Sequence, residues 1–172
     1  MSIVIRGDGG QSGVYLLAIR VAQDLDLSFG RFQGGRPIHV PAGLVIYAGS
    51  ARGRGGATAL AGRLLRHATR SGSRPAHGLR GELTARFTAA GLVNTTLSPK
   101  TLRWHIDYLL DEPAAELVGV FAIRTGDDLE SVLVERLIAR PDIISFPPGL
   151  GASDKHGYSH LMRLETNHSI AE

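Results

Sequence analysis

Residues 46–56, IYAGSARGRGG, contain residue types that suit chemistry on a phosphate group. An aliphatic run ends at Tyr47, passes Gly49, and enters a loop that contains Arg52 and Arg54. Glycine permits tight turns and lets backbone or substrate approach closely, but a turn does not require arginine. Because the planar guanidinium of arginine matches phosphate oxygens, this loop is a candidate binding site for a polyanion.

Arginine supplies most of the positive charge of the chain. Of the 19 basic residues 17 are arginine, and the formal net charge is +3. Residues 52–86 hold eight arginines and one acid, Glu82, whereas acids gather between Asp107 and Glu130. This one-sided field is typical of proteins that bind nucleic acid or polyphosphate, with a solvated arginine-rich face as the alternative. The residues expected to contact nucleic acid are Arg52, Arg54, Arg66, Arg70 and Arg74.

Length and composition favour one soluble domain over residues 1–172. A chain of this length with 43% hydrophobic residues can bury a single core. The absence of cysteine excludes disulfides and thiolate chemistry and fits a reducing compartment, so we expect a cytoplasmic protein. The apolar run at 13–22 is broken by Arg20 and predicts neither a signal peptide nor a membrane span, so no membrane partner is expected.

The first half of the chain predicts neighbouring antiparallel strands. Residues 13–22 and 43–49 are rich in β-forming residues, and the first run is apolar on both faces, as central strands are. The glycines and Pro41 in the segment between these runs favour a hairpin that leads into the second strand. Further strands are expected at 116–123 and within 159–164.

A helix is predicted over residues 57–70, where apolar residues recur at three- and four-residue steps. Arg63, His67 and Arg70 lie along one flank of its apolar stripe, from which a side chain can reach a groove. Arg66 lies farther round the helix and is expected to face solvent.

Two more helices are expected in the second half. One begins with Ser98 as N-cap, runs through residues 100–110, turns Leu102 inward and places His105 on a flank. The other spans 127–140. The alternation of strands and helices predicts an α/β or α+β fold.

Composition also predicts the character of the remaining segments and the environment of the single tryptophan. Residues 71–99 have the composition of an insertion that carries a short helix near 80–90. Residues 165–172 form a loose tail. Trp104 is expected to pack against helices rather than to stack on bases.

Glu130 lies among apolar residues of the third predicted helix. One explanation is a capping box, in which Asp127 is the N-cap and Glu130 reaches back to it. The other is a metal ligand, since a carboxylate at an apolar edge suits a divalent cation. The pattern alone leaves both open.

The order of these blocks resembles the GIY-YIG nuclease superfamily. GVY at 13–15, IYAGSA at 46–51 and LAGRLLRHA are similar to its two tripeptides on neighbouring strands and its arginine-bearing helix. RWHIDYLL, LESVLVERL and GLGASDKHGYSHL extend the similarity to a small-domain branch sometimes fused to endonuclease III-type glycosylases. The resemblance covers residues 12–164. It implies a small central, mainly antiparallel sheet flanked by helices.

The resemblance also implies roles for residues of this chain. Tyr15 and Tyr47 would line the active site and position or deprotonate the attacking water. Arg63 would stabilise the charge that grows on the scissile phosphate. Glu130 would hold one divalent ion, Mg²⁺ or Mn²⁺.

Other matched residues have less specific roles. His67 and His105 would each serve as general base or phosphate contact. Ser153, Asp154 and His160 match a closing motif to which no role can be given. Together these features predict a metal-dependent endonuclease that acts on structured or single-stranded DNA. The alternative is a nucleic-acid-binding module without catalysis that assists a DNA repair partner.

Overall fold

A predominantly antiparallel sheet forms the centre of the fold. The structure is a computed structural model that describes residues 2–8, 10–53, 55–92, 99–151 and 157–165. The strands in these ranges are β1 (Ser2–Arg6), β2 (Gly13–Val21), β3 (Leu25–Leu27), β4 (Ile38–Val40), β5 (Gly43–Ala51), β6 (Ala115–Arg124), β7 (Ile143–Ser145) and β8 (Leu161–Leu164). Among the described residues, six strands form one sheet in the order β1-β6-β2-β5-β8-β7, and β3 pairs separately with β4.

Helices lie on both faces of the sheet. They are α1 (Leu60–His67), α2 (Arg80–Ala89), α3 (His105–Asp111) and α4 (Glu130–Ile138). Apolar residues of α1, α2 and α3 join the larger core on one face, whereas α4 packs on the other face against Ala48 and Met162. The α+β class predicted from the sequence is therefore confirmed, as is the mainly antiparallel sheet flanked by helices.

Strand β2 occupies the middle of the sheet, as its two apolar faces predicted. It pairs antiparallel with β5 on one side and with β6 on the other, while β1 runs parallel to β6. Strand β8 pairs with β5 only from Leu44 to Tyr47. Within the described residues, positions 49–51 of β5 therefore extend beyond the pairing with β8.

The helix expected over residues 100–110 is shorter than predicted. It begins at His105, and Leu102, placed inward by the prediction, is 39% exposed. The Asp107 carboxylate accepts the backbone N–H groups of Arg103 and Trp104, each at 3.0 Å, and so sets the start of α3. The predicted cap, Ser98, lies outside the described residues.

Helices α1 and α4 are also shorter than their sequence patterns predicted. Helix α1 follows a 3₁₀ turn at Gly56–Thr58 and covers eight residues, and α4 covers nine, although fourteen were expected for each. Local apolar spacing continues beyond these ends, but at the start of α1 the Leu60 N–H donates to the Gln11 carbonyl of a loop at 2.8 Å.

The segment 71–99, predicted to be an insertion, contributes directly to the larger core. The expected short helix is confirmed as α2, and Leu79, Leu83, Phe87 and Leu92 are all buried. Residues 93–98 and the predicted tail at 166–172 lie outside the described residues. None of the helices described is long and apolar enough to cross a membrane.

Candidate functional site

A polar cavity of about 440 Å³ lies where β5 extends beyond β8. Its walls are formed by Tyr47, Ser50, Arg52, Arg63, Trp104, Glu130 and Gly151. Neighbouring side chains of a strand point to opposite faces, and Tyr47 belongs to the larger core while Ser50 faces α4. At this end of β5, beyond its pairing with β8, side chains from both faces of the sheet line one cavity.

Glu130 occupies the α4 side of the cavity. It is the first residue of α4, its carboxylate accepts a hydrogen bond from the Ser50 hydroxyl, and Oε1 lies 3.0 Å from His160 Nδ1. A carboxylate is favoured at a helix N-terminus by the helix dipole. The capping-box explanation is wrong, because Leu129 rather than Asp127 precedes the first helical residue.

His160, for which sequence analysis found no role, therefore lies beside Glu130. Its side chain is 3% exposed, and that of Glu130 is 17% exposed. Ser153 and Asp154, the other two residues of the closing motif, lie outside the described residues.

Arg63 occupies the opposite wall. Its Nε donates to the Ala57 carbonyl at 2.9 Å, and its guanidinium carbon lies 3.9 Å from the centre of the Trp104 ring. Stacking on an aromatic face and the hydrogen bond that Nε donates together restrict the direction of the guanidinium. Trp104 also packs against the core, as predicted, with Arg66 and Arg103 near its ring.

The two tyrosines of the resemblance lie together but at different depths. The β2–β5 register pairs Tyr15 with Gly49, so Tyr47 is a diagonal neighbour of Tyr15 on the same face, and their ring centres are 6.3 Å apart. Tyr47 lines the cavity, whereas Tyr15 is fully buried behind it. Burial raises the pKa of both hydroxyls, and the charge of Arg63 offsets only part of this rise. Both hydroxyls are therefore protonated at neutral pH.

His67 and Gly49 fix the position of the buried Tyr15. The Tyr15 hydroxyl lies 2.9 Å from His67 Nε2, and burial lowers the pKa of His67 to about 4. A Cβ on residue 49 would lie 2.7 Å from the Tyr15 hydroxyl oxygen. The absence of a side chain at Gly49 thus makes room for the Tyr15 side chain, whereas sequence analysis expected it to let backbone or substrate approach.

His105 holds the loop at the rim of the cavity. Its Nδ1 accepts the Gly151 N–H at 3.0 Å, and its ring contacts Phe32 with centres 5.2 Å apart. Partial burial lowers its pKa, so the ring is neutral at pH 7. Gly151 has φ +88°, and a Cβ there would lie 3.1 Å from the Tyr47 ring. His105 therefore positions a wall of the cavity and is not part of its lining.

Among the described residues, three of the predicted nucleic-acid-binding arginines are outside the cavity lining and form ion pairs: Arg66 with Asp107, Arg70 with Glu116 and Arg74 with Asp111. The expectation that Arg66 faces solvent is wrong, since its side chain is 10% exposed. Arg52 does line the cavity, where it pairs with Asp128, and Arg54 lies outside the described residues.

Sequence reasoning missed Asp107, which lies at the centre of a buried cluster. Its side chain is fully buried, and Arg66 Nη2 lies 3.2 Å and Lys100 Nζ 3.7 Å from its oxygens. Burial alone would raise its pKa, but His67 and the backbone N–H groups of Trp104 and Arg103 outweigh burial and lower it. Helical spacing offered no signal for its burial, because on the predicted helix Asp107 lies about 100° round the axis from the inward-facing Ile106.

Glu130 is the one described residue in the cavity lining that could supply a carboxylate to a cation. No group of three or more histidines, cysteines or acids suited to a metal occurs within the described ranges. Mg²⁺ is commonly bound through one or two carboxylates together with water and substrate phosphates. The partly exposed carboxylate of Glu130 therefore fits such an ion.

A family model described as a domain of unknown function, DUF123, matches residues 14–172. The matched range includes all residues that line the cavity, together with the buried cluster behind it. No curated protein and no solved structure matches the chain. What the cavity does must accordingly be inferred from its own geometry.

Proposed function

The chain belongs to the DUF123 family, and from the geometry of its cavity we propose that it is a metal-dependent endonuclease that hydrolyses phosphodiester bonds in DNA. The observation that carries this proposal is the placement of Arg63, Tyr47 and Glu130 around one polar cavity. These residues come from α1, β5 and α4, so only the folded chain brings them together.

Arg63 is the residue of this set that binds the phosphate. Its guanidinium is directed by Trp104 and by the Ala57 carbonyl, so little reorganisation is needed when a phosphate enters. A pre-oriented cation stabilises charge that develops in a transition state better than a mobile one does. Arg52, at the same cavity, adds positive charge for the adjoining backbone of the nucleic acid.

Glu130 is the residue that would hold one Mg²⁺ or Mn²⁺. Such an ion, when bound, neutralises phosphate charge and activates water. The Ser50 hydroxyl donates to the carboxylate and His160 Nδ1 lies 3.0 Å from it, and neighbouring groups of this kind commonly orient a metal-binding side chain. Oxygen ligands from substrate and water would complete the coordination.

Tyr47 contributes a neutral hydroxyl to the cavity. Because burial keeps its pKa well above the ordinary value, this hydroxyl acts as a hydrogen-bonding group and not as a phenolate. It can orient the attacking water or a phosphate oxygen. Tyr15 and His67 are buried behind this wall, and both of their rings pack near the Tyr47 ring.

A second candidate is a nucleic-acid-binding module without catalysis that assists a DNA repair partner. The observation in its favour is that the Glu130 carboxylate already contacts Ser50 and His160. In such a module these contacts would hold α4 on the sheet. DNA affinity would then survive the loss of Glu130, since cationic contacts supply most such affinity.

The first test incubates the chain with end-labelled single-stranded, duplex and branched DNA and with RNA, in Mg²⁺, Mn²⁺ or EDTA. We expect cleavage of at least one DNA substrate in either metal and none in EDTA. Glu130→Ala should bind that substrate but leave it intact. Binding of DNA without cleavage on every substrate would contradict the nuclease and favour the module.

A further inference from the structure

Helices α1 and α3 bury a cluster of ionisable side chains behind the cavity wall. Asp107 is its centre, and the side chains of His67 and Lys100 are each 1% exposed. Taking such groups out of water costs free energy that their mutual attraction often fails to recover. Stability alone is thus a weak reason for this cluster, whereas its contact with Tyr15 connects it to the cavity.

The hydrogen bond between Tyr15 and His67 can exist in two directions. A neutral imidazole has one nitrogen that donates and one that accepts. The Tyr15 hydroxyl, 2.9 Å from Nε2, donates if that nitrogen is unprotonated and accepts if it carries the proton. Since burial lowers the pKa of His67 to about 4, the ring is neutral at pH 7 and one of these two states must hold.

Asp107 lies on the far side of the His67 ring. Its Oδ1 is 3.7 Å from Nδ1, which is too long for a hydrogen bond but close enough for a strong electrostatic effect in a buried site. A carboxylate at this position favours a proton on Nδ1. The other charged groups near the ring are Lys100 and Arg63, and both favour the neutral imidazole.

We propose that Asp107 is a positioning residue that holds His67 as the Nδ1–H tautomer, so that the Tyr15 hydroxyl donates to Nε2. The Tyr15 oxygen is then left as an acceptor beside Arg63, whose charge lowers the pKa of that hydroxyl. Asp107 also accepts the backbone N–H of Trp104, the residue on which Arg63 stacks. Asp107 therefore acts on Arg63 by two routes without entering the cavity.

Arg66 and Lys100 also lie beside the Asp107 carboxylate, so their charges add to the backbone N–H groups of Arg103 and Trp104 in favouring its ionised form. Arg66 Nη2 is 3.2 Å from Oδ2, whereas Lys100 Nζ is 3.7 Å from Oδ1 and donates to the Thr69 carbonyl at 2.8 Å. A neutral carboxyl group at position 107 would lose most of its preference for a proton on Nδ1. The effect of this device on turnover rests on the proposed nuclease function, whereas the tautomer is a property of the chain alone.

The test is a ¹⁵N NMR measurement of the imidazole nitrogens of His67 at pH 7 in the full chain. The signals are assigned by their loss in His67→Gln. We expect a protonated Nδ1 and an unprotonated Nε2, in the unmodified chain and equally in Tyr15→Phe, because Asp107 and not Tyr15 selects the tautomer. A protonated Nε2 in either protein would overturn the proposal.

The variant Asp107→Asn tests whether the charge of Asp107 selects the His67 tautomer. Its amide can accept the same backbone N–H groups, but it no longer carries the charge that favours a proton on Nδ1. We expect the Nε2–H tautomer to become populated, and an unchanged tautomer in a folded variant would overturn the proposal. If Asp107→Asn does not fold, the spectra of the unmodified chain and of Tyr15→Phe still decide the matter.

A kinetic readout separates this inference from the proposed function. Under single-turnover conditions Asp107→Asn should lower the cleavage rate about 100-fold, the effect of a misplaced catalytic group, while DNA affinity stays unchanged. A cleavage rate unchanged in the folded variant would overturn the link to Arg63. If the unmodified chain does not cleave DNA at all, the proposed function fails, and the NMR result still tests the tautomer.

Discussion

Helix α1 contributes one arginine to the cavity and another to the buried cluster behind it, and the surroundings of these two arginines differ. On the cavity side, Arg63 contacts a carbonyl and an aromatic ring. Less than one turn later, Arg66 is buried against Asp107. The fold thus places one arginine in the wall of the cavity and neutralises its neighbour with a carboxylate. A count of arginines along the chain does not distinguish these two uses.

Removal of Asp107 should have the largest effect on stability. Asp107→Ala leaves Arg66 and Lys100 buried without their carboxylate, and breaking a buried ion pair in this way costs about 3 to 5 kcal/mol. Asp128→Ala is the matched control, because Asp128 pairs with Arg52 at the surface, where such pairs contribute about 1 kcal/mol or less. Urea unfolding of both variants measures the difference. Equal losses of unfolding free energy would show that the buried cluster stabilises the fold no more than the surface pair does.

Exchange of the two neighbouring arginines for lysine separates catalysis from stability. Arg63→Lys loses the planar group that stacks on Trp104, and we expect cleavage to slow roughly 100- to 1,000-fold, as when one transition-state donor is removed. Its unfolding free energy should change by about 1 kcal/mol or less. Arg66→Lys should show the reverse pattern, with a larger stability loss and a smaller kinetic effect. Single-turnover rates and urea unfolding of the same preparations provide both quantities.

Acid should destabilise the chain through the buried His67. Its pKa is about 4 in the fold against an ordinary value of 6.5, so between these values the unfolded chain binds a proton that the folded chain does not. Above pH 6.5 His67 therefore does not reduce the free energy of unfolding. As the pH falls toward 4, His67 lowers this free energy by about 3 kcal/mol at most. Urea unfolding at pH 7.5 and 4.5 checks this. His67→Gln should show a smaller decline, although His77, whose pKa burial also lowers, keeps part of it.

The arginines away from the cavity should matter least for DNA. Arg52→Ala removes a cation of the cavity, so the dependence of DNA affinity on salt should weaken by about one phosphate contact. Arg74→Ala removes a guanidinium that pairs with Asp111 and should leave the salt dependence unchanged. Affinity titrations at several salt concentrations compare the two. An equal change in both would mean that the arginine-rich segment acts as one surface.

The parts of the fold that the sequence predicted best depend on local patterns. Strands β2 and β5 and helix α2 follow from β-forming runs and apolar spacing, whereas the placement of both tyrosines on one face depends on the β2–β5 register, which local patterns do not provide. The juxtaposition of Tyr47 with Arg63 and Glu130 was expected only from the resemblance. These residues now line one cavity, while their roles stay predictions.

The features that sequence reasoning missed depend on partners distant in the chain. Arg66 meets Asp107 across 41 positions, and the backbone contacts of Asp107 shorten α3 in a region that local patterns assigned to a helix. Ser50 meets Glu130 across 80 positions, a contact that neither of the two explanations considered for Glu130 included. Only the tertiary structure shows which of several polar residues neutralises a given charge.

The central claim is that Glu130 and a divalent ion together cut DNA in this cavity. The most direct test measures single-turnover cleavage of the best DNA substrate by the unmodified chain, Glu130→Gln and Glu135→Gln at several Mg²⁺ concentrations. Glu135 lies on the same helix and is exposed, so it is a matched control. We predict Mg²⁺-dependent cleavage that Glu130→Gln abolishes, with DNA affinity retained, and that Glu135→Gln leaves intact. Equal cleavage by all three proteins, or none by the unmodified chain, would contradict the claim.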